Sequence, residues 1–452
     1  MSQRVVILGS GESGVGAALL AKAKGYDVFV SDLSTIQEQY LNELKDNSIP
    51  FEQGEHTESK IINADLIVKS PGIPDKAPII KKLKELGIEI ISEIEFGYRH
   101  ALPGTKYIAI TGSNGKTTTT LLTFHIAQKL KFNVALAGNV GTSLARQVVH
   151  QKHNLFVLEL SSFQLDNMYQ FHPNVAVLLN ITPDHLDRYE YNFENYVASK
   201  FRITQNLSSA DTFIFYSEDS AIQKYISNYT LNCQLKKISL ESPQKEGGFS
   251  DGITILLNSS GETFAGSFDE LPLKGKHNQL NVMAAYLAMH KLGASFEVIH
   301  EAALSFINAP HRLEKVGIIN QVRYVNDSKA TNVDSVWYAL EATPAPIIWI
   351  AGGVDKGNDY SAISDLVKLK VKILISLNKD HTKLIEGTKG LVNQVEYAES
   401  MNEAIQKAML LSEPGDTVLL SPACASFDLF KNYEDRGNQF RSIVQSLMKT
   451  LS

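Results

Sequence analysis

The chain has 452 residues, 44% of them hydrophobic, a net charge of -6 and two cysteines. That length and apolar content suit several globular domains, each with its own core. The acidic balance, with no basic concentration against it, turns the reading away from nucleic acid and anionic membrane as partners; Cys233 and Cys424, far apart, argue against a disulfide scaffold or zinc ribbon and for a reducing cytoplasm.

The first unit, expected over residues 1–98, opens with strand Val5 to Leu8, too brief for a signal-peptide core. No later window reaches the length of a membrane span. Gly9, Gly11 and Gly14 follow in G-x-G-x-x-G spacing, then a helix and a strand Val28 to Val30 ending at Asp32. This is a Rossmann-like half, whose glycines admit a diphosphate and whose acid can bind a ribose hydroxyl. The same groups suit a nicotinamide or flavin dinucleotide and a UDP-sugar alike, and a tight strand-to-helix turn can also exist without a ligand. Further α/β signals are Leu66 to Val68 before Ser70-Pro71-Gly72, a helix around Ile79 to Leu86 and a strand Ile88 to Ile91.

The second unit, expected over residues 99–308, carries the most informative segment. Tyr107 to Ile110 reads as a strand, and Gly112-Ser113-Asn114-Gly115-Lys116-Thr117-Thr118 reads as a triphosphate cradle opening a helix. Glycine lets the backbone approach phosphate, N–H groups and the helix N-terminus face the anion, Lys116 reaches the outer phosphates and Thr117 can ligate magnesium. The generic P-loop places a glycine where this chain has Ile110, so the fit is partial. Strands Val134 to Leu136, Leu155 to Leu158 and Val175 to Leu179 alternate with helices, giving a mostly parallel sheet. Thr212 to Tyr216 and Ile253 to Leu257, with the turn at Asn258 to Gly261, predict an added β layer with a hairpin, and a helix from about Asn278 to Leu292 closes the unit. The third unit, expected over residues 309–452, is again α/β and Rossmann-like, with strands Val322 to Val325, Ile347 to Ile350, Ile373 to Ile375 and Val418 to Leu420.

Three segments follow strands of the second unit, where α/β sheets place ligands: Gly138 to Gly141, Glu159 to Gln164 and Asn180 to Arg188. Glu159 can bind magnesium beside Thr117, and His185 can ligate a metal through a neutral ring nitrogen. Singly, each has a plainer use, the acid as a helix cap and the histidine as a structural group. Lys200 by itself reads as an exposed helix lysine.

Gly112 to Thr118, Glu159 to Gln164, Asp184-His185-x-Asp187-Arg188 and Gly275-Lys276-His277-Asn278-x-x-Asn281 resemble the Mur ligases, ATP-dependent amide-forming enzymes of peptidoglycan precursor synthesis. The resemblance covers essentially the whole chain. The N-terminal half-Rossmann unit, Asn326 to Asn332, Ser421 to Ser426 and Phe430 to Tyr433 are similar to the branch that adds D-glutamate to UDP-N-acetylmuramoyl-L-alanine. It implies a first domain for the UDP end of the substrate, with Gly11, Glu12, Ser13, Gly14, Val15 and Asp32 facing the uridine diphosphate and Ser70, Gly72 and Asn139 lining the sugar-nucleotide path. It implies contact of ATP with the cradle and with Asn278, Asn281, Arg312 and Asp327. It assigns D-glutamate to Lys329, Thr331, Lys356, Ser426, Phe427 and Tyr433, whose lysines and hydroxyls match two carboxylates. Lys116, His185 and Lys200 become the catalytic set. Two magnesium ions fall to Thr117, Glu159, His185 and Lys200, the last carbamylated into an anionic ligand. The resemblance leaves other Mur-type ligases and folylpolyglutamate-type ligases as rivals. The latter lack the UDP-type first domain, and the chain has no Asp-Asn-Pro-Arg segment of the diamino-acid type. A soluble, cytoplasmic monomer is expected.

Overall fold

The computed structural model describes residues 2–355 and 357–451, so Lys356 lies outside the described residues. Two compact units emerge: the chain through Pro272 together with Gln279–Phe306, and Leu273–Asn278 together with the chain from Ile307 onward. The first unit holds two sheets and the second holds one.

The first sheet is built from β1 (Arg4–Leu8), β2 (Asp27–Asp32), β3 (Phe51–Gln53), β4 (Leu66–Lys69) and β5 (Glu89–Ser92), all parallel, in the order β3-β2-β1-β4-β5. The chain steps outward from β1 to one side and then returns to the other, so a crevice opens beyond the carboxyl end of β1. Val5 to Leu8 are wholly buried because helices cover both faces.

The second sheet contains β6 (Lys106–Thr111), β7 (Val134–Gly138), β8 (Leu155–Glu159), β9 (Val175–Leu178), β10 (Thr212–Tyr216), β11 (Gln234–Ser239), β12 (Gly247–Ser250), β13 (Thr254–Ser259) and β14 (Glu262–Ser267). Its order is β14-β13-β12-β11-β10-β9-β6-β8-β7, parallel from β7 to β12 and antiparallel at the β12–β13 and β13–β14 pairs. The added β material therefore extends the edge of this same sheet, with the hairpin turn at Ser260 and Gly261. Strands β11 and β12 were not legible in the sequence: Gln-Leu-Lys-Lys-Ile-Ser is largely polar and Gly-Gly-Phe-Ser weakens a strand signal.

Helix Leu144–Val149 of the second sheet packs against helices Glu12–Ala23 and Glu93–His100 of the first. The approach is close enough that a Cβ on Gly16 would collide with Ser143. Across this seam Arg146 pairs with Glu12 at 2.8 Å and with Glu43. Glu93 accepts the Ala145 N–H at 2.5 Å, and burial pushes its carboxyl up to about 8. Residues from both sheets share one apolar cluster.

The second unit's sheet comprises β15 (Glu314–Ile319), β16 (Val322–Asn326), β17 (Ile347–Ala351), β18 (Val371–Leu377), β19 (Gln394–Ala398) and β20 (Thr417–Leu420), in the order β15-β16-β20-β17-β18-β19. Only the edge strand β15 runs antiparallel to its neighbour. Among the described residues no helix is long and apolar enough to cross a membrane.

Candidate active site

The cradle lies at the carboxyl end of β6, and Gly115 caps helix Lys116–Lys129 in the left-handed region, φ 84°. A Cβ there would meet the Asn281 side chain at 2.5 Å, so only glycine fits. The loop is held from below: Asn180 accepts the Asn114 N–H at 2.8 Å, and the Ser113 hydroxyl meets Thr182 O at 2.9 Å and the Tyr196 hydroxyl at 3.1 Å. Asn281, buried in helix Lys276–Lys291, accepts from Thr119 at 3.1 Å behind the loop.

Lys116 folds onto the loop it serves, its Nζ donating to the carbonyls of Gly112 at 2.7 Å and Ser113 at 2.8 Å. Lys200, from helix Phe193–Phe201, donates to the same Gly112 carbonyl at 2.8 Å and is 1% exposed. The exposed position that its helix pattern suggests is thus overturned: the side chain points inward past Tyr196, whose ring lies 4.7 Å from Nζ. Burial first and the nearby Lys116 charge second hold its amine well below the ordinary lysine range, against the pull of Asp184 and Asp166. A neutral amine is the form able to add carbon dioxide.

Glu159 ends β8 beside Ile110 of β6 and is 2% exposed. Asn139 donates to one carboxylate oxygen at 2.7 Å, and the other has no hydrogen-bond partner. An unbonded buried carboxylate oxygen is costly unless a cation completes it. His185 sits at φ 52° with its ring edge-on to Phe163, centroids 5.2 Å apart. Among the described residues no group of three or more His, Cys, Asp or Glu gathers around one point. Magnesium does not need one, because it keeps waters and takes phosphate oxygens with one or two protein ligands. The unbonded oxygen of Glu159 fits that pattern.

The crevice of the first sheet is a cavity of about 1110 Å³ lined by Gly9, Gly11, Glu12, Ser13, Asp32 and Ser70 to Gly72, among others. Ser70 leaves its buried hydroxyl unpartnered there. Asp32 serves the loops around it, taking Ser10 N at 2.6 Å, Ser10 Oγ at 2.7 Å and Ser34 N at 2.8 Å. Val15 is fully buried in the core, so its side chain takes no part in the lining. Asn139 is spent on Glu159, as described. Sequence reasoning missed Arg188 in a linking role: its guanidinium donates to the carbonyls of Pro71 at 3.0 Å and Gly72 at 3.1 Å and lies over the Phe163 ring at 4.4 Å.

In the second unit Asp327 is 7% exposed, takes Leu313 N and Ser421 Oγ at 3.1 Å each, and is pushed up to about 7 by burial. Asn278 donates to Lys274 O at 2.7 Å, and Arg312 sends its charge toward Asp327 and His277. Lys329 lies over the Tyr433 ring at 3.6 Å, Ser426 is buried and Phe427 is 73% exposed, so core packing does not explain that phenylalanine. Thr331 is half-buried in the segment between β16 and helix Val333–Ala342. Arg436, also missed, is 1% exposed and donates to Ser328 and Cys424, tying the loops after β16 and β20 together. Its role has no sequence-local signal because its partners are distant in the chain.

Three domain families match in chain order: the Mur ligase MurD-like N-terminal domain over residues 3–92, the Mur ligase middle domain over 110–289 and the Mur ligase glutamate ligase domain over 311–424. The chain belongs to the Mur ligase family. It is 59% identical to a UDP-N-acetylmuramoylalanine--D-glutamate ligase of Cytophaga hutchinsonii over 99% of this chain and 100% of that one. It is 37% identical to the enzyme of the same name from Salinibacter ruber, over 98% of each. In fold it is similar to a MurF ligase from Thermotoga maritima in complex with ADP, with a TM-score of 0.64 at 15% identity over 96% of this chain and 99% of that one. A pseudomurein peptide ligase type C from Methanothermus fervidus gives a TM-score of 0.63 at 19% identity, covering 99% and 100%.

Proposed function

We infer that the chain joins D-glutamate to UDP-N-acetylmuramoyl-L-alanine at the expense of ATP, in peptidoglycan precursor synthesis. The observation that carries this reading is the convergence of Lys116 and the buried, neutral-leaning Lys200 on one carbonyl of the cradle, beside a Glu159 oxygen with no partner. Full-length relatives of that name agree with it.

A carboxylate oxygen of the substrate's alanine attacks the γ-phosphorus, the bond to the bridging oxygen breaks, and ADP departs with the electron pair. The D-glutamate amine then attacks the acyl phosphate carbon, phosphate leaves and the amine gives up a proton. Lys116, already beside the cradle, turns its charge to the transferring phosphoryl group. Thr117, Glu159, His185 and a carbamylated Lys200 would hold a pair of magnesium ions. Such ions supply neutralisation of the charge spread over the phosphoryl oxygens. Ser13, Ser70, Gly72 and the Gly9 to Gly14 turn hold the UDP end. Asn278, Asn281, Arg312 and Asp327 serve ATP. Lys329, Thr331, Ser426, Phe427 and Tyr433 serve D-glutamate, as does Lys356.

Phosphate release with the UDP substrate and a panel of amino acids tests the reading. Release that requires D-glutamate, and that falls about 10²- to 10³-fold in Lys116→Ala, is expected. Equal release with L-alanine or a diamino acid, or an unchanged rate in Lys116→Ala, overturns it.

A further inference from the structure

Glu159, His185 and Lys200 stand on three separate segments: the end of β8, the loop after β9 and helix Phe193–Phe201. The backbone of the middle segment cannot set its own position. His185, Glu190 and Tyr191 all lie in the left-handed region, at φ 52°, 56° and 55°, which residues with a Cβ disfavour. A loop of this kind keeps its shape only where its surroundings hold it. Tyr189 alone is buried among the described residues 182–195.

The Tyr189 hydroxyl is where the three segments meet. It donates to Asp166 Oδ2 at 3.0 Å and lies 3.2 Å from Ser199 Oγ. Asp166 closes the short helix Ser162–Leu165 that follows Glu159, and Ser199 immediately precedes Lys200. The Ser162 carbonyl accepts from Ser199 Oγ at 3.0 Å and from Asp166 N at 3.1 Å, which completes a circuit of hydrogen bonds. The aromatic ring of Tyr189 stacks on Phe163, centroids 6.1 Å and planes 16° apart, and Phe163 also meets the His185 ring. Between His185 and Tyr189 the chain is a single 3₁₀ turn, Leu186–Arg188, closed by Arg188 N on His185 O and Tyr189 N on Leu186 O at 3.0 Å each. A movement of the phenol is therefore passed to the histidine.

We propose, on the reading that Glu159, His185 and Lys200 hold the magnesium ions, that Tyr189 is a positioning residue for them: its hydroxyl fixes their spacing through Asp166 and Ser199. Magnesium demands near-ideal octahedral geometry, so a slackened frame loses affinity that a more tolerant cation would keep.

The probe is Mn²⁺, which shares the octahedral oxygen preference and can be followed by paramagnetic resonance, titrated into the full chain with a non-hydrolysable ATP analogue. Tyr189→Phe keeps the stacked ring and removes the hydroxyl. It is expected to weaken Mn²⁺ binding about tenfold, the usual scale for groups that orient metal ligands, and to raise the magnesium concentration for half-maximal phosphate release in step. UDP affinity should not change. Ser199→Ala opens the circuit at another member and should show the same loss. The double variant should be no weaker than the more affected single one, since members of one network are not additive. Melting curves establish that each variant is folded. Wild-type Mn²⁺ affinity in either folded single variant, or losses that multiply in the double variant, overturns the assignment while leaving the cation reading intact. Wild-type protein that binds no Mn²⁺ beyond what the nucleotide alone takes up overturns the cation reading, and the role of Tyr189 with it.

Discussion

The carboxyl edges of the first two sheets have opposite electrostatic preparation. Around the first, charges are matched within the protein: Asp32 takes three donors from its own loops and Glu52 takes three more. Around the second, Lys200 is buried against one carbonyl with a second lysine beside it, and Glu159 keeps an oxygen unbonded. An edge whose charges are settled is a mould that selects by shape and hydrogen-bond pattern. An edge whose charges are unsettled holds an electrostatic cost that a bound ligand and cation would relieve, as the proposed chemistry requires.

Removing an unsettled group should abolish turnover and leave the mould alone. Lys200→Ala is expected to lower phosphate release about 10²- to 10³-fold while UDP affinity at the first cavity stays unchanged. With ¹³C-bicarbonate, wild-type protein should show a carbamate resonance that Lys200→Ala lacks. Parallel loss of UDP binding would break the comparison. Glu159→Gln sharpens it: activity falls about 10²-fold, with partial recovery at raised magnesium, while the ligand-free melting temperature does not fall. A clear drop in ligand-free stability would mean that the carboxylate is settled by something in the fold.

Asp327 extends the comparison to the second unit with the smallest effect. Burial raises its carboxyl from 3.8 to about 7, so the folded chain binds this proton more tightly than the unfolded one. Stability from this group is therefore full below about pH 4 and is lost as pH rises toward 7. Asp327→Asn should flatten that part of the stability profile by about 1 to 3 kcal/mol, measured by denaturant unfolding across the window. An unchanged slope would show that Arg312 already neutralises the carboxylate.

What the sequence revealed follows from how local each signal is. The cradle is legible because glycine, lysine and threonine do their work within a few residues of one another. So are the buried strands, whose apolar runs need no partner to be recognised. The burial of Lys200 is not legible, since its helix also carries Ser199 and Ala198 and nothing nearby tells which face meets the Gly112 carbonyl. The links made by Arg188, Arg436 and His56 are not legible because their partners, Pro71 and Gly72, Ser328 and Cys424, and Ser31, lie far away in the chain. His56 also follows the three-residue β3, too short to give a periodic signal. Edge strands such as Gln394–Ala398 are hidden for a related reason, being partly solvated and alternating with charge.

The seam between the first two sheets sets a limit on how this enzyme can be taken apart. Gly16 against Ser143, the buried Glu93 on the Ala145 amide and Arg146 clamped by Glu12 and Glu43 join the first two sheets into a single compact unit. A fragment cut between residues 92 and 110, where the family domains are divided, would expose helix Leu144–Val149 and strand its arginine from both acids. Gene dissection should therefore yield insoluble halves on that side, and soluble material only when both are expressed as one polypeptide.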